Sequence, residues 1–495
     1  MSAKTEIKSK AQAGLLKLTF VWLSFTPISA MATTYWVAAN GSDSHPCSQS
    51  QPCASVQYGV NKLFAGDTLN IKAGTYYETD TDGAGFFALP VAINLPRSGT
   101  SAAPIIIQAA PGDEGNVTID LQAIYAGFQL GGHQDHIHIK NLNIRNARGV
   151  AINVPDAGNI SFNETSKWSI GLVIEGNKIT DTYGDGAGKN NSAIRIYQVR
   201  DAIIRNNMVD RVGTTELVDE KSHNSCILSY ALWNIKIEHN LFSRCGSRAV
   251  FWKTQALDLP SEGYQSIIRY NKFTNNYVSI VDSGKAPRTN SPHKILISNN
   301  IFENYYMAVD IADPFGGTAI VAHNFFNGEG SQTPGSNAIV IREVNNLQAS
   351  IFGNIYHSNE DVVYDFRLLS DKLIRVDHNI FTSQPKSWLY GYNPYSFKTT
   401  TLNQWQGLVS ESILPTPPDL NSVLSPIASM AVSLSSQNYK LPGGSLGLNF
   451  MPNGDNVGPY QRGSEVIGLL TSFMSTSTLT SNPNPPSSLS IKITP

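Results

Sequence analysis

Charge is scarce in this sequence: 15% of the 495 residues are Asp, Glu, Lys or Arg, and the formal net charge is −2. A chain so close to neutral lacks the basic field that holds a phosphate backbone, which excludes nucleic acid as an electrostatic partner. A membrane-spanning run is missing too. The apolar stretch "LTFVWLSF" (Leu18–Phe25) falls far short of the ~20 residues that cross a bilayer. It follows Lys4, Lys8, Lys10 and Lys17 and precedes Ala30-Met31-Ala32, so residues 1–32 read as a secretory signal cut after Ala30 or Ala32. The expectation is a secreted or periplasmic protein with no stable membrane insertion. Only four cysteines are present, and none has the C-x-x-C spacing of a zinc or redox site. Cys47 with Cys53 and Cys226 with Cys245 form two local pairs, expected as structural disulfides in an oxidising compartment. The segment "GDGAGK" lacks the spacing of a phosphate-binding loop, which removes nucleotide binding.

A repeat is present. An asparagine followed by two mostly apolar residues recurs at Asn177, Asn207, Asn240, Asn271, Asn300, Asn324, Asn354 and Asn379, at steps of 24 to 33 residues. Steps so variable do not suit a helical repeat of fixed unit length. They suit a coil whose loops differ while its strands stay in register. Each Asn follows a β-branched segment such as "AIIR", "IKIE" or "ILIS", which reads as a buried strand. Asn also tolerates the left-handed region and bonds to nearby backbone, which suits a tight bend, and its amide is expected to stack on the next Asn. The fold class that follows is all-β, a single right-handed parallel β-helix in which stacking buries a core that no rung buries alone. "ASVQYGVNKLF" (Ala54–Phe64) has helical spacing and is expected to cap the first rung. The expected organisation is a signal over 1–32, cap and first rung over 33–75, β-helix over 76–385, an irregular closing segment over 386–463 and a Ser/Thr/Pro-rich flexible tail over 464–495.

A second strand in each rung aligns by its small first residue: Ala151, Ala193, Cys226, Ala249, Ser279, Ala308, Ala338 and Val362. Side chains alternate along a strand, so the second position, from Ile152 through Ile194, Ile227, Val250, Ile280, Val309 and Ile339 to Val363, is the core column. The outward third column reads Asn153, Arg195, Leu228, Phe251, Val281, Asp310, Val340, Tyr364. The outward fifth reads Pro155, Tyr197, Tyr230, Lys253, Ser283, Ala312, Arg342, Phe366. Trp252 and Asp282 fall inward as misfits, which signals either a bend in the core or a register slip from Ala249 onward. On this alignment Lys253 lies one rung from Tyr230 and two from the rungs of Arg195 and Asp310. A face carrying a lysine, a phenol, the aromatic platforms Tyr197 and Phe251 and the flanking cations Arg195, Arg248 and Arg342 has the groups that an anionic sugar chain needs.

"YWVAANGSDSHPCSQSQPCASVQYGVNKLFAGDTLNIKAGTYYE" resembles the opening of secreted right-handed parallel β-helix repeat proteins with the pectin lyase-like fold. "TLNQWQ", "DLNSVLSP" and "YKLPGGSLGLNFMPNGDNVGPY" resemble their closing segment, and the resemblance spans roughly residues 35 to 462. It implies the fold; because the fold hosts lyases, hydrolases, epimerases and binding proteins, activity must be argued from a site. Adjacent aspartates with the "N-T-D" and "G-H-G" patterns of pectin-type hydrolases are missing, as is the "R-x-P-x-x-R" pattern of pectate lyases. The leading expectation is a lysine-based lyase that cleaves a uronate-containing polysaccharide by β-elimination. Lys253 is then the base, Tyr230 the proton donor and Arg195 the cation that neutralises the enediolate, with Tyr197, Phe251, Arg248 and Arg342 binding substrate. The alternatives are a carbohydrate-binding β-helix without catalysis, a glycoside hydrolase and a uronate epimerase. Several lyases of this fold use calcium, for which Asp310 and Asp313 in "DIADPFGG" are the candidate ligands. Asp313-Pro314-Phe315-Gly316 keeps only the first half of the epimerase "D-P-H-D" pattern. Asp185 and His223 read as loop residues incidental to the chemistry. No organic cofactor is expected, the partner is an acidic polysaccharide, and the protein is expected as a monomer.

Overall fold

The repeated asparagines close each coil by stacking. Asn177, Asn207, Asn240, Asn271, Asn300, Asn324, Asn354 and Asn379 are all fully buried. Each donates its backbone N–H and side-chain Nδ2 to the Oδ1 of the next, at 2.9 to 3.1 Å, from Asn177 to Asn207 and on to Asn354 with Asn379. The left-handed backbone at the bend belongs to the residue before. Gly176, Asn206, His239, Tyr270, Asn299, His323, Gly353 and His378 have φ between 54° and 68°, whereas none of the ladder asparagines has positive φ. The bend thus divides two tasks that the sequence pattern had assigned to one residue.

The computed structural model describes residues 31–78, 90–131, 133–155, 164–183, 191–213, 224–253, 266–283, 293–312, 317–328, 336–342, 347–357, 362–366, 374–385, 387–391, 398–399, 401–407, 419–425, 439–441, 443–461 and 464–470. Asp185, His223, Asp313, most of the expected signal and the tail beyond Leu470 lie outside them. The strands form three parallel ladders that wind as a right-handed parallel β-helix, the hand that crossovers between parallel strands take almost without exception. Among the described strands the one antiparallel pair is Ser387–Gly391 with Lys398–Thr399. Parallel pairing continues past Gln384: Ser387–Gly391 adds to Val362–Phe366, and Val423–Leu424 adds to Ile380–Phe381. The capping helix is shorter than the apolar spacing predicts, Val56–Val60, with Ser55 as its N-cap and the Glu78 carboxylate accepting the Val56 N–H at 2.7 Å. Both disulfides, Cys47–Cys53 and Cys226–Cys245, are formed. Among the described residues no helix is long and apolar enough to cross a membrane.

The core is a set of columns. Ile152, Ile194, Ile227, Val250, Ile280, Val309 and Ile339 pair in register from rung to rung, so no slip occurs at Ala249. Trp252 and Asp282 do face inward, paired through Ser229, Trp252, Asp282 and Ile311. The small Ser229 of the preceding rung leaves volume for the indole. The alignment fails at its last rung. Ile339 pairs with Tyr364, which is fully buried, so Tyr364 and Phe366 are core residues and Asp365 takes the outward place. A further column that the sequence reading passed over holds aromatic rings two residues after each ladder Asn from Asn240 onward. Phe242, Phe273, Phe302, Phe326, Tyr356 and Phe381 stack face to face with centroids 4.9 to 5.2 Å apart.

The C-terminal end is closed by the helix Leu402–Gln406, whose Trp405 is buried against Tyr364 and Phe366. Asp419 terminates the asparagine ladder: its carboxylate accepts from Asn379 Nδ2 at 2.8 Å and from Trp405 Nε1 at 2.7 Å. Residues 450–461 and 464–470 then run back along the left-handed bends. Gly458 donates to the Gly353 carbonyl, Asn299 to the Pro459 carbonyl, Gly468 to the Tyr270 carbonyl, and Leu470 to Asn206 Oδ1. His323 is enclosed by this segment. Burial pushes its imidazole down to about 4, against the opposing pull of Asp455 and of the Asn456 backbone. The unfolded chain therefore binds this proton more readily than the native one between pH 6.5 and 4. Stability contributed here is complete above pH 6.5 and falls as the pH drops toward 4, by about 3 kcal/mol over the window. Urea midpoints across pH 4 to 7 are expected to show this loss. A His323→Asn variant, which tolerates the φ of 57°, is expected to show less of it.

Candidate active site

The outward face of the ladder that begins at Val91–Asn94 carries the predicted site residues. Register places Tyr197 beside Tyr230 and Tyr230 beside Lys253 on three consecutive rungs. The two phenol rings stack at 4.5 Å with planes 19° apart, and Lys253 Nζ lies 5.0 Å from the centroids of both Tyr230 and Phe251. Arg248 reaches the same Phe251 ring at 4.4 Å, so two cations flank one platform. Arg195 completes the group, with Cζ 5.9 Å from the rings of both Tyr125 and Tyr197. Arg195, Tyr197, Tyr230, Lys253, Phe251 and Arg248 thus form a continuous run of contacts across three rungs. Phe251 and Arg248 are mostly buried, whereas Arg195, Tyr197, Tyr230 and Lys253 are half-buried.

Arg342 is not brought to this group. It lies at the end of Asn337–Ile341, three rungs beyond Lys253 or roughly 14 Å at one rung per ~4.8 Å. There it donates through Nε to Asp310 Oδ1 at 2.8 Å, forming an ion pair on adjacent rungs. Asp310, 6% exposed, is thereby already faced by a cation. Calcium asks for six to eight oxygen ligands, and among the described residues no three acidic, His or Cys side chains converge to hold a metal ion. Asp310 beside Arg342 does not by itself supply such a cage, and Asp313 lies outside the described residues.

The sequence reading missed Tyr125 and Gln129. Asn153 donates Nδ2 to Gln129 Oε1 at 3.1 Å and accepts from Arg195 Nε at 2.9 Å, while Arg195 Nη1 reaches the Tyr125 hydroxyl at 3.4 Å. Asn153 and Arg195 stood in one column of the alignment, which would have signalled their bond. Tyr125 and Gln129 belong to the Ala126–Gln129 rung, upstream of where that alignment began.

Residues 35–204 match a family described as the Pel9A-like right-handed β-helix region. Among solved structures, the pectate lyase Pel9A is 16% identical over 57% of this chain and 78% of its own, with a TM-score of 0.35. A rhamnogalacturonan lyase is 14% identical over 67% and 84%, at 0.35. A mannuronic acid-specific family 6 polysaccharide lyase from human gut microbiota is 12% identical over 86% and 96%, at 0.41. The family match is to a right-handed β-helix region, in keeping with the parallel ladders of this chain. No curated protein matches the chain.

Proposed function

We propose that this protein is a secreted or periplasmic lyase that cleaves a uronate-containing polysaccharide by β-elimination on the face carrying Arg195, Tyr197, Tyr230 and Lys253. The observation that carries the reading is the register of Tyr197, Tyr230 and Lys253 on consecutive rungs, with Arg195 in contact with Tyr197. In its neutral form the Lys253 amine removes the proton on the carbon alpha to the sugar carboxylate. The guanidinium of Arg195 faces that carboxylate and balances the charge that develops as the enediolate forms. The C–O bond to the leaving sugar then breaks, a C=C bond forms, and the Tyr230 hydroxyl protonates the departing oxygen. Tyr197 and Phe251 offer ring faces on which sugars stack. Mass spectrometry of the products is the test: elimination yields fragments whose new non-reducing end is one water lighter than the hydrolysis product. Fragments of hydrolytic mass would overturn the proposal.

One observation favours a second reading, a groove that binds acidic sugar without cleaving it. Lys253 and Arg248 both lie over ring faces, an arrangement that attracts a lysine as the ammonium, whereas a base needs the amine. Binding without any product from any acidic polymer would support this reading.

A further inference from the structure

Building on the acidic-polysaccharide reading, we infer that Asn153, Gln129 and Tyr125 are positioning residues that fix the Arg195 guanidinium as a preformed carboxylate receptor. Asn153 and Gln129 are 1% and 4% exposed, and they stand in the column that continues on later rungs as Leu228, Phe251 and Val281. The column therefore accepts apolar side chains, and a pair of buried amides contributes little net stability over an apolar pair of similar shape. What distinguishes the polar rungs is the geometry they impose. Gln129 Oε1 accepts from Asn153 Nδ2, which turns Asn153 Oδ1 toward Arg195 Nε. Tyr125, 7% exposed, holds Nη1 from the other side. Its ring occupies the space where a side chain at residue 149 would begin: a Cβ on Gly149 would stand 2.5 Å from Tyr125 Cε2.

An arginine has five N–H groups. Two of those on Arg195, one at Nε and one at Nη1, meet partners within the protein. Three remain on the terminal nitrogens, enough for a bidentate carboxylate contact. Because the fork is oriented before substrate arrives, side-chain ordering does not have to accompany binding. The ligand class this selects is a chain of planar carboxylates, against neutral or methyl-esterified counterparts of the same sugar.

The test compares the full chain with its Arg195→Ala, Asn153→Leu and Asn153→Asp variants and the double variant Gln129→Leu with Asn153→Leu. Binding to alginate, polygalacturonate, methyl-esterified polygalacturonate, hyaluronan and chondroitin is measured at low and high salt, with melting temperature recorded for each. Asn153→Leu leaves the buried Gln129 Oε1 without its donor and should melt below the parent, whereas the double variant extends the apolar column and should melt closer to the parent. Both should lose about tenfold in affinity for an acidic polymer. Asn153→Asp keeps an acceptor opposite Nε but cancels the charge of Arg195. It should lose at least as much affinity as Arg195→Ala, with weaker salt dependence. A merely structural Asn153 would move the melting temperature and leave affinity and its salt dependence unchanged, which would overturn the inference while the polysaccharide reading stands. If the parent binds none of alginate, polygalacturonate, hyaluronan and chondroitin, the reading and the inference fall together.

Discussion

Replacing Lys253 with Arg is expected to lower elimination at least about 100-fold while leaving polymer binding and folding close to those of the parent. A guanidinium keeps the positive charge and the contacts with Tyr230 and Phe251, but it does not give up its proton and has no capacity to act as a base. General-base contributions of about 10²- to 10⁴-fold set the scale of the loss. Lys253→Ala should lose the same turnover and, in addition, about 1 kcal/mol of stability from the missing ring contacts. The pair of variants separates the two readings of the site. A lyase loses turnover in both, whereas a binding groove has no turnover to lose and weakens only in Lys253→Ala. Full activity in Lys253→Arg would remove this lysine from the proton transfer.

The largest stability effect is expected inside the asparagine ladder, at Asn271. Its Oδ1 accepts from both the backbone N–H and Nδ2 of Asn240, and its Nδ2 donates to the Ile237 carbonyl at 2.8 Å. Alanine there leaves the Asn240 N–H and the Ile237 carbonyl without these partners in a region closed to water. At about 1–3 kcal/mol for each orphaned group the cost is about 4 kcal/mol, a large share of the ~5–15 kcal/mol that holds a domain together. The urea midpoint of Asn271→Ala measures it. A shift worth less than about 1 kcal/mol would mean that water replaces the lost amide and that the ladder is not what fixes the bends.

How far the sequence can be read depends on what repeats. The asparagine ladder was legible because one residue type recurs while loop lengths vary, and the seven Ile and Val residues of the core column aligned for the same reason. The column slipped at Tyr364 because "VVYDF" offers two valines where earlier rungs have a small residue and an aliphatic, so the rule that anchored the other rungs had no single anchor there. Trp252 looked out of place because an inward indole needs a small neighbour, and Ser229 becomes its neighbour only through stacking across rungs. Tyr197, Tyr230 and Lys253 were assembled correctly by alignment. The distance of Arg342 from them was not foreseen because residue type alone suggested a sugar contact, whereas Asp310 on the adjacent rung offers a carboxylate at hydrogen-bond distance. Tyr125 carried no motif at all; its place is set by the missing side chain at Gly149.

Ultraviolet absorbance shows whether this face converts an acidic polysaccharide by elimination. The protein is mixed in turn with alginate, pectate, hyaluronan and chondroitin, with calcium or with a chelator, and the absorbance of the unsaturated uronate is followed. A lyase gives a steady rise with one polymer, and Lys253→Arg abolishes it. No rise with any polymer that the protein demonstrably binds would contradict the lyase reading.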